Sequence, residues 1–116
     1  MEEQIWHKHN WPNNVKKSLE YPNEPLYKIL ENTAEKSGEL PYTVFSGTTT
    51  TYAEANIAAN RVANFLIQNG VKKGDKVAIF LPNTPHYPIV FFGIIKAGAV
   101  AVTCNPTYTK DELNLQ

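Results

Sequence analysis

The sequence predicts an α/β fold in which helices cover both faces of a parallel β-sheet, giving three layers. Along the 116 residues, short apolar segments rich in branched side chains alternate with longer segments of helical periodicity. This alternation is typical of right-handed β–α–β units, whose parallel strands are buried on both faces. The predicted order of strand, helix, strand, helix, strand and start of a helix is about half of a doubly wound domain, flavodoxin- or Rossmann-like, so we expect an incomplete subdomain.

The chain divides into two predicted parts. Residues 1–24 form an extended N-terminal arm, and residues 25–116 form the α/β subdomain. The arm contains Trp6 and Trp11 and shows no apolar period. Because two exposed indoles would be costly, we expect the arm to pack against the body.

The first predicted helix begins near Pro25, a residue that suits a first turn, and ends at Gly38. Its apolar face consists of Leu26, Ile29, Leu30 and Thr33. Residues 41–46 are β-rich and predict a strand. A turn at Gly47-Thr48 would let residues 49–51 pair back as a short hairpin.

The second predicted helix covers residues 52–69. Thr51 and Glu54 have the spacing of a capping box, and Gly70 ends the helix. Its predicted apolar face consists of Ala55, Ala58, Val62, Phe65 and Leu66, and its polar face of Asn56, Asn60, Asn64 and Gln68.

Two buried strands and two further helices complete the pattern. Residues 76–81 and 99–103 predict strands buried on both faces. The helix between them is apolar nearly all round, which predicts deep burial, and it is expected to be capped by Asn83-Thr84 with Pro85 as its first residue. A second capping box, Thr109 and Glu112, begins the closing helix.

Composition excludes several classes of function. Eleven basic residues balance eleven acidic ones, so no net field attracts nucleic acid or an anionic membrane. No apolar run approaches the length of a membrane span, and the N-terminus lacks the pattern of a signal peptide, so we expect a cytoplasmic protein. Cys104 is the only cysteine and is expected to be a small buried residue at a strand end. His7 and His9 offer at most adventitious metal binding, and we expect no metal site.

Two loops follow the predicted strands at the sheet edge where ligands gather. They contain Asn83 and Asn105, whose amides could contact a ligand, while the helix starts could hold an anion. The alternative is that both loops merely shape turns and caps. His86 could act as a base, although packing or solvation is the commoner role of such a histidine. The chain has no phosphate-binding loop of the GxxxxGK[ST] type, no GxGxxG after a strand and no GxSxG.

The order of several short motifs resembles the N-terminal region of AMP-forming acyl-CoA synthetases. The matching elements, within residues 25–116, are TY.E, NRVA, GVKKGDKVAI, LPN.P, G..KAGAV and NP.YT..EL. The last of these, after KAGAVAV, is most similar to the long- or medium-chain fatty acyl-CoA ligase branch of this adenylate-forming superfamily. Each element alone is unspecific, but their order and spacing are not.

This resemblance implies a ligase that uses ATP, Mg²⁺ and coenzyme A to activate a fatty acid. The family's nucleotide-binding and catalytic motifs come later in the chain, so no residue here receives a catalytic role, and no cofactor is expected on this fragment alone. The loop at Asn105, Pro106 and Thr107 is expected to border the region that receives coenzyme A or the acyl group. The expected partner is the remainder of the same polypeptide, and open sheet edges would also allow a homodimer.

Two alternatives remain. The chain could belong to another adenylate-forming enzyme, such as an aryl-acid ligase or an adenylation domain, because the acyl pocket is built downstream. It could also be a stand-alone flavodoxin-like binding module. The closing helix is too short to be stable unaided, which favours a truncated domain over a complete one.

Overall fold

The computed structural model describes residues 11–116, which form four helices and four strands. Trp6, His7, His9 and the rest of residues 1–10 lie outside the described residues. The helices are α1 (Lys28–Ser37), α2 (Tyr52–Gln68), α3 (His86–Lys96) and α4 (Lys110–Leu115), and the strands are β1 (Pro41–Phe45), β2 (Thr48–Thr51), β3 (Lys76–Ile79) and β4 (Val100–Thr103). Within residues 11–116, no helix has both the length and the apolar character that a bilayer crossing requires.

Strands β1 and β2 form the predicted hairpin. They pair antiparallel, and Phe45 lies opposite Thr48, so the turn is Ser46-Gly47, one residue earlier than the predicted turn at Gly47-Thr48. Ser46 and Gly47 both have positive φ, 48° and 78°, as a type I′ turn requires. The hairpin is a two-stranded sheet separate from the sheet of β3 and β4.

Strands β3 and β4 pair in parallel, as predicted, in a register that runs from Lys76 opposite Val100 to Ile79 opposite Thr103. The prediction that both faces are buried is wrong for these residues. Ile79 is buried against α3, whereas Ala78 and Val100 are exposed. Helix α3 covers only one face of this two-stranded sheet, so the three-layer arrangement is not formed by the described residues.

Helix α2 begins at the predicted capping box. The Thr51 hydroxyl accepts from the Glu54 N–H at 3.2 Å, and the Glu54 carboxylate accepts from the Thr51 N–H at 2.9 Å. Its buried face is a stripe of alanines spaced four residues apart, namely Ala55, Ala59 and Ala63. Phe65, which the sequence assigned to the apolar face, is 63% exposed. The buried face is therefore rotated from the prediction, because small side chains permit closer contact with α3.

The contact between α2 and α3 is centred on Gly93. A Cβ atom at this position would lie 2.5 Å from both Cβ and Cγ1 of Val62 and 3.0 Å from the Ala59 carbonyl oxygen. Such distances are far below van der Waals contact. Helix α3 is half-buried over most of its length rather than deeply buried, and only Gly93 and Ile94 are fully covered.

A buried ammonium joins three helices at the end of α3. Lys96 Nζ, in a side chain only 5% exposed, donates to Glu31 Oε1 of α1 at 2.9 Å. It also donates to Asn56 Oδ1 at 2.6 Å and Asn60 Oδ1 at 2.7 Å, both on α2. Lys28 contacts the other Glu31 oxygen at 2.8 Å. The predicted polar face of α2 thus supplies acceptors for Lys96 rather than only facing solvent.

Helix α1 begins later than predicted. Two turn bonds precede it, from the Lys28 N–H to the Pro25 carbonyl and from the Ile29 N–H to the Leu26 carbonyl. Of the predicted apolar face, Leu30 is buried, whereas Leu26 and Ile29 are exposed. Because α1 contacts the body along a single line, one side of its apolar face stays uncovered.

Helix α3 also differs at its start. Pro85 is the N-cap residue rather than the first helical residue, and neither Asn83 nor Thr84 makes a side-chain cap. Instead the Thr84 N–H donates to the Pro82 carbonyl and the Tyr87 N–H to the Thr84 carbonyl. The chain enters the helix through a backbone turn, in which Pro85 already has helical dihedral angles.

The described part of the arm, residues 11–24, contains neither helix nor strand. The Trp11 indole N–H donates to the Val15 carbonyl at 2.8 Å, and residues 12–24 are exposed. The Val15 N–H donates to the Pro12 carbonyl at 3.1 Å, so the chain makes a local turn just after Trp11.

Candidate functional site

The two predicted loops meet at the carboxyl ends of β3 and β4. The Cys104 N–H donates to the Ile79 carbonyl at 2.9 Å, which extends the strand pairing by one residue and brings the loops side by side. Between them lies a groove of about 420 Å³, called here the strand-end groove. It is lined by Leu81, Asn83, Tyr87, Thr103, Cys104, Asn105, Pro106 and Tyr108.

The loop after β4 is held by the side chain of Asn105. Its Oδ1 accepts from the Thr107 backbone N–H at 3.0 Å and from the Thr107 hydroxyl at 2.9 Å. The Tyr108 N–H donates to the Asn105 carbonyl at 3.0 Å and closes the turn. An asparagine that binds the backbone two residues ahead is the usual way to fix a tight turn.

Helix α4 follows this loop. Its predicted capping box is confirmed: the Glu112 carboxylate accepts from the Thr109 N–H at 2.8 Å, and the Thr109 hydroxyl accepts from the Glu112 N–H at 3.4 Å. The backbone N–H and the hydroxyl of Thr109 hold the pKa of Glu112 below its usual value. Gln116 Nε2 then donates to the Thr103 carbonyl at 2.8 Å, which ties the end of α4 to the end of β4.

The lining of the strand-end groove carries no charged side chain. Amides, two phenols, a thiol, a hydroxyl and apolar groups form its surface. Within residues 11–116, no cluster of three or more histidine, cysteine, aspartate or glutamate side chains could bind a metal ion. The groove can therefore hold uncharged polar and apolar groups, but it lacks the cations and carboxylates that a Mg²⁺–triphosphate site needs.

The predicted site residues fall in different places. Asn83, Asn105 and Pro106 line the groove, and Thr107 contacts it through its bonds to Asn105. His86 instead lines a second, mainly apolar groove of about 370 Å³ beside the hairpin, lined by Phe45, Ser46, Thr48, Thr50, Thr84, Pro85, His86 and Ile89. Cys104 is buried at the strand end as predicted, 6% exposed.

Sequence reasoning missed the two tyrosines of the strand-end groove. Tyr87 lies in the first turn of α3 and Tyr108 at the end of the loop after β4. Both follow a loop asparagine within four residues, so a search for aromatic residues beside strand-end loops would have found them.

The chain is similar to several known proteins. The sequence profile described as AMP-binding enzyme matches residues 30–116. The long-chain-fatty-acid–CoA ligase of Bacillus subtilis is 37% identical over 106 residues, which are 91% of this chain and 19% of that protein. Bacitracin synthase 3 of Bacillus licheniformis is 34% identical over 94 residues, covering 81% of this chain and 2% of that protein.

A solved structure gives the same comparison in three dimensions. A fatty acyl CoA synthetase of Mycobacterium tuberculosis superposes with a TM-score of 0.72 at 35% identity, covering 77% of this chain and 18% of that one. The chain thus spans about a fifth of the length of the ligases and synthetases that it resembles.

Proposed function

Because this chain belongs to the AMP-binding enzyme family, we propose that it is the N-terminal part of a long-chain-fatty-acid–CoA ligase. The observation that carries the proposal is the 37% identity to such a ligase over 91% of the chain. Since the chain covers 19% of that relative, the activity is proposed for the longer polypeptide and not for these residues alone.

The proposed reaction has two steps. A fatty-acid carboxylate oxygen attacks the α-phosphorus of ATP, which releases pyrophosphate and leaves an acyl-adenylate. The thiolate of coenzyme A then attacks the acyl carbon and displaces AMP, which gives the acyl thioester. Mg²⁺ would offset the phosphate charge in the first step.

The residues of this chain serve the thiol or acyl side of the reaction rather than the nucleotide side. We assign Asn105, Pro106 and Thr107 to the border of the region that receives coenzyme A or the acyl group. The neutral lining of the strand-end groove supports this assignment, because it lacks the cations that would stabilise a triphosphate and the carboxylates that would bind its metal ion. ATP and Mg²⁺ are accordingly assigned to residues outside this chain.

The same proposal extends to architecture and surroundings. Further strands and helices would complete a three-layer parallel sheet around β3 and β4, with residues 25–116 as its first part and residues 1–24 as an arm. The exposed apolar residues Ala78 of β3, Val100 of β4 and Phe80, just after β3, support this expectation because such apolar surface is normally covered. We also propose that the enzyme acts in the cytoplasm, in fatty acid metabolism, and that open sheet edges permit a homodimer.

The test compares the 116-residue chain with the longer polypeptide that contains it. Both are incubated with ATP, Mg²⁺, palmitate and coenzyme A, and pyrophosphate and palmitoyl-CoA are measured. The proposal expects both products from the longer protein and neither from the short chain. Pyrophosphate release that requires no fatty acid, or turnover by the short chain, would contradict it.

The match to bacitracin synthase 3 favours a second candidate, an adenylation domain that activates another carboxylic acid. Replacing palmitate by amino acids and aryl acids in the same assay separates the two candidates. Acid-dependent exchange of pyrophosphate into ATP with an amino acid, and not with palmitate, would favour the adenylation domain.

A further inference from the structure

We propose that the oxygen and the nitrogen of the Asn105 side-chain amide have different roles. Its Oδ1 fixes the loop after β4, and its Nδ2 donates to an uncharged carbonyl-type acceptor of the substrate that enters the strand-end groove. This inference rests on the proposed ligase function and adds a residue that positions the loop and selects the bound group.

The hydrogen bonds determine which amide atom faces the loop. The Thr107 backbone N–H can only donate, so the Asn105 atom 3.0 Å from it is the oxygen. The Thr107 hydroxyl lies 2.9 Å from the same oxygen and must donate to it as well. Asn105 Nδ2 therefore points away from these bonds, and within residues 11–116 it donates to no protein acceptor. Asn105 itself is exposed on the groove wall.

The chemistry of the bound group follows from this arrangement. The loop offers the two N–H donors of Asn105 Nδ2. The Thr107 hydroxyl already donates its proton to Asn105 Oδ1, so it can only accept a further hydrogen bond. No cation lines the groove, so a phosphate or carboxylate would be poorly compensated there. An amide or acyl carbonyl fits these conditions. In the proposed reaction, such carbonyls belong either to the thiol substrate or to the acyl group.

Two variants separate the two tasks. Asn105→Asp keeps an oxygen that can accept from Thr107 but removes the donor. Asn105→Ala removes both. In the 116-residue chain, hydrogen exchange of the Thr107 amide, followed by NMR, is expected to match the wild type in Asn105→Asp and to be about tenfold faster in Asn105→Ala. Equal exchange in Asn105→Ala and the wild type would overturn the positioning task.

The donor task is tested in the longer ligase. Asn105→Asp is expected to raise KM about tenfold for coenzyme A or for the fatty acid, with kcat within threefold, and the affected substrate identifies the source of the carbonyl. The measurement is made at low and high salt, because repulsion by the new carboxylate would be screened whereas a lost donor would not. Unchanged KM for both substrates, or an increase that disappears at high salt, overturns this task.

A failure of the proposed function gives a different result. If the wild-type longer protein forms no acyl-CoA, the donor task falls with the ligase assignment. The exchange of the Thr107 amide in the short chain still decides the positioning task, because it needs no activity.

Discussion

Replacing Gly93 by alanine should separate α2 from α3 and destabilise the chain. The new Cβ would lie 2.5 Å from Val62 Cβ and Cγ1 and 3.0 Å from the Ala59 carbonyl oxygen. Carbon atoms normally approach no closer than about 3.5 Å, so the helices must move apart by about 1 Å. That movement would loosen the contacts of the buried alanines of α2.

Two opposing terms set the magnitude. Overpacking a well-packed contact costs about 1–3 kcal/mol, and this contact belongs near the upper end because a backbone carbonyl also obstructs the methyl group. Alanine gains about 1 kcal/mol over glycine in a helix interior. The net expectation is a loss of about 2 kcal/mol. This lowers Tm by roughly 8 °C, because an unfolding entropy of about 2.1 cal/mol/K per residue gives about 4 °C per kcal/mol at this length.

The assay is urea and thermal unfolding of the 116-residue chain, followed by circular dichroism. The control is the same substitution in a Val62→Gly background, where both clashing carbon atoms are gone. There the cost of Gly93→Ala should fall to less than half of its value in the wild type. A Gly93→Ala chain as stable as the wild type, or an equal cost in both backgrounds, would refute the assignment of close helix contact.

Three further predictions concern the hydrogen bonds of Lys96 and Glu31 and the turn of the hairpin. Lys96→Met should change the free energy of unfolding by less than about 1 kcal/mol, because it also removes the burial cost of the ammonium. Glu31→Ala should lower the free energy of unfolding by about 1–2 kcal/mol, a value reduced for partial exposure of the carboxylate. A larger loss in Lys96→Met than in Glu31→Ala, measured by urea unfolding, would contradict this. Bonds from Lys28 and Lys96 lower the pKa of Glu31, so this group's contribution to stability is present above the unfolded-state pKa of about 4.3 and is lost as pH falls through the lowered folded-state pKa. The urea midpoint should therefore fall less between pH 6 and pH 3 in Glu31→Gln than in the wild type, and equal falls would count against the pairing. Ser46→Asn should stabilise the hairpin by about 0.5 kcal/mol, because asparagine tolerates the positive φ of 48° better than serine. Ser46→Val should destabilise the hairpin. A higher Tm for the valine variant than for the asparagine variant would contradict the turn assignment.

The candidate site was predictable in its location but not in its working parts. Parallel strands end at a common edge, so the loops that contain Asn83 and Asn105 could be placed together from the strand pattern alone. The strand pattern could not show that Asn105 Oδ1 accepts two hydrogen bonds from Thr107, because a loop asparagine can equally shape a turn or bind a ligand. His86 illustrates the converse: its position near the first loop suggested the same site, but the turn at the start of α3 places it in the hairpin groove.

Features that depend on bonds between near neighbours were predictable from residue identity alone. Both capping boxes and the existence of the hairpin rest on atoms within a few residues of one another, so local residue identity is sufficient. The family resemblance carried by the ordered motifs was likewise confirmed.

Burial and side-chain contacts between distant residues, by contrast, depend on how the helices and strands pack against one another. The bonds of Lys96 join residues 36 to 65 positions apart, and the burial of the alanine stripe on α2 depends on Gly93 of another helix. Periodicity specifies that a helix has an apolar side, but the closest approach of the neighbouring element selects the residues that form it.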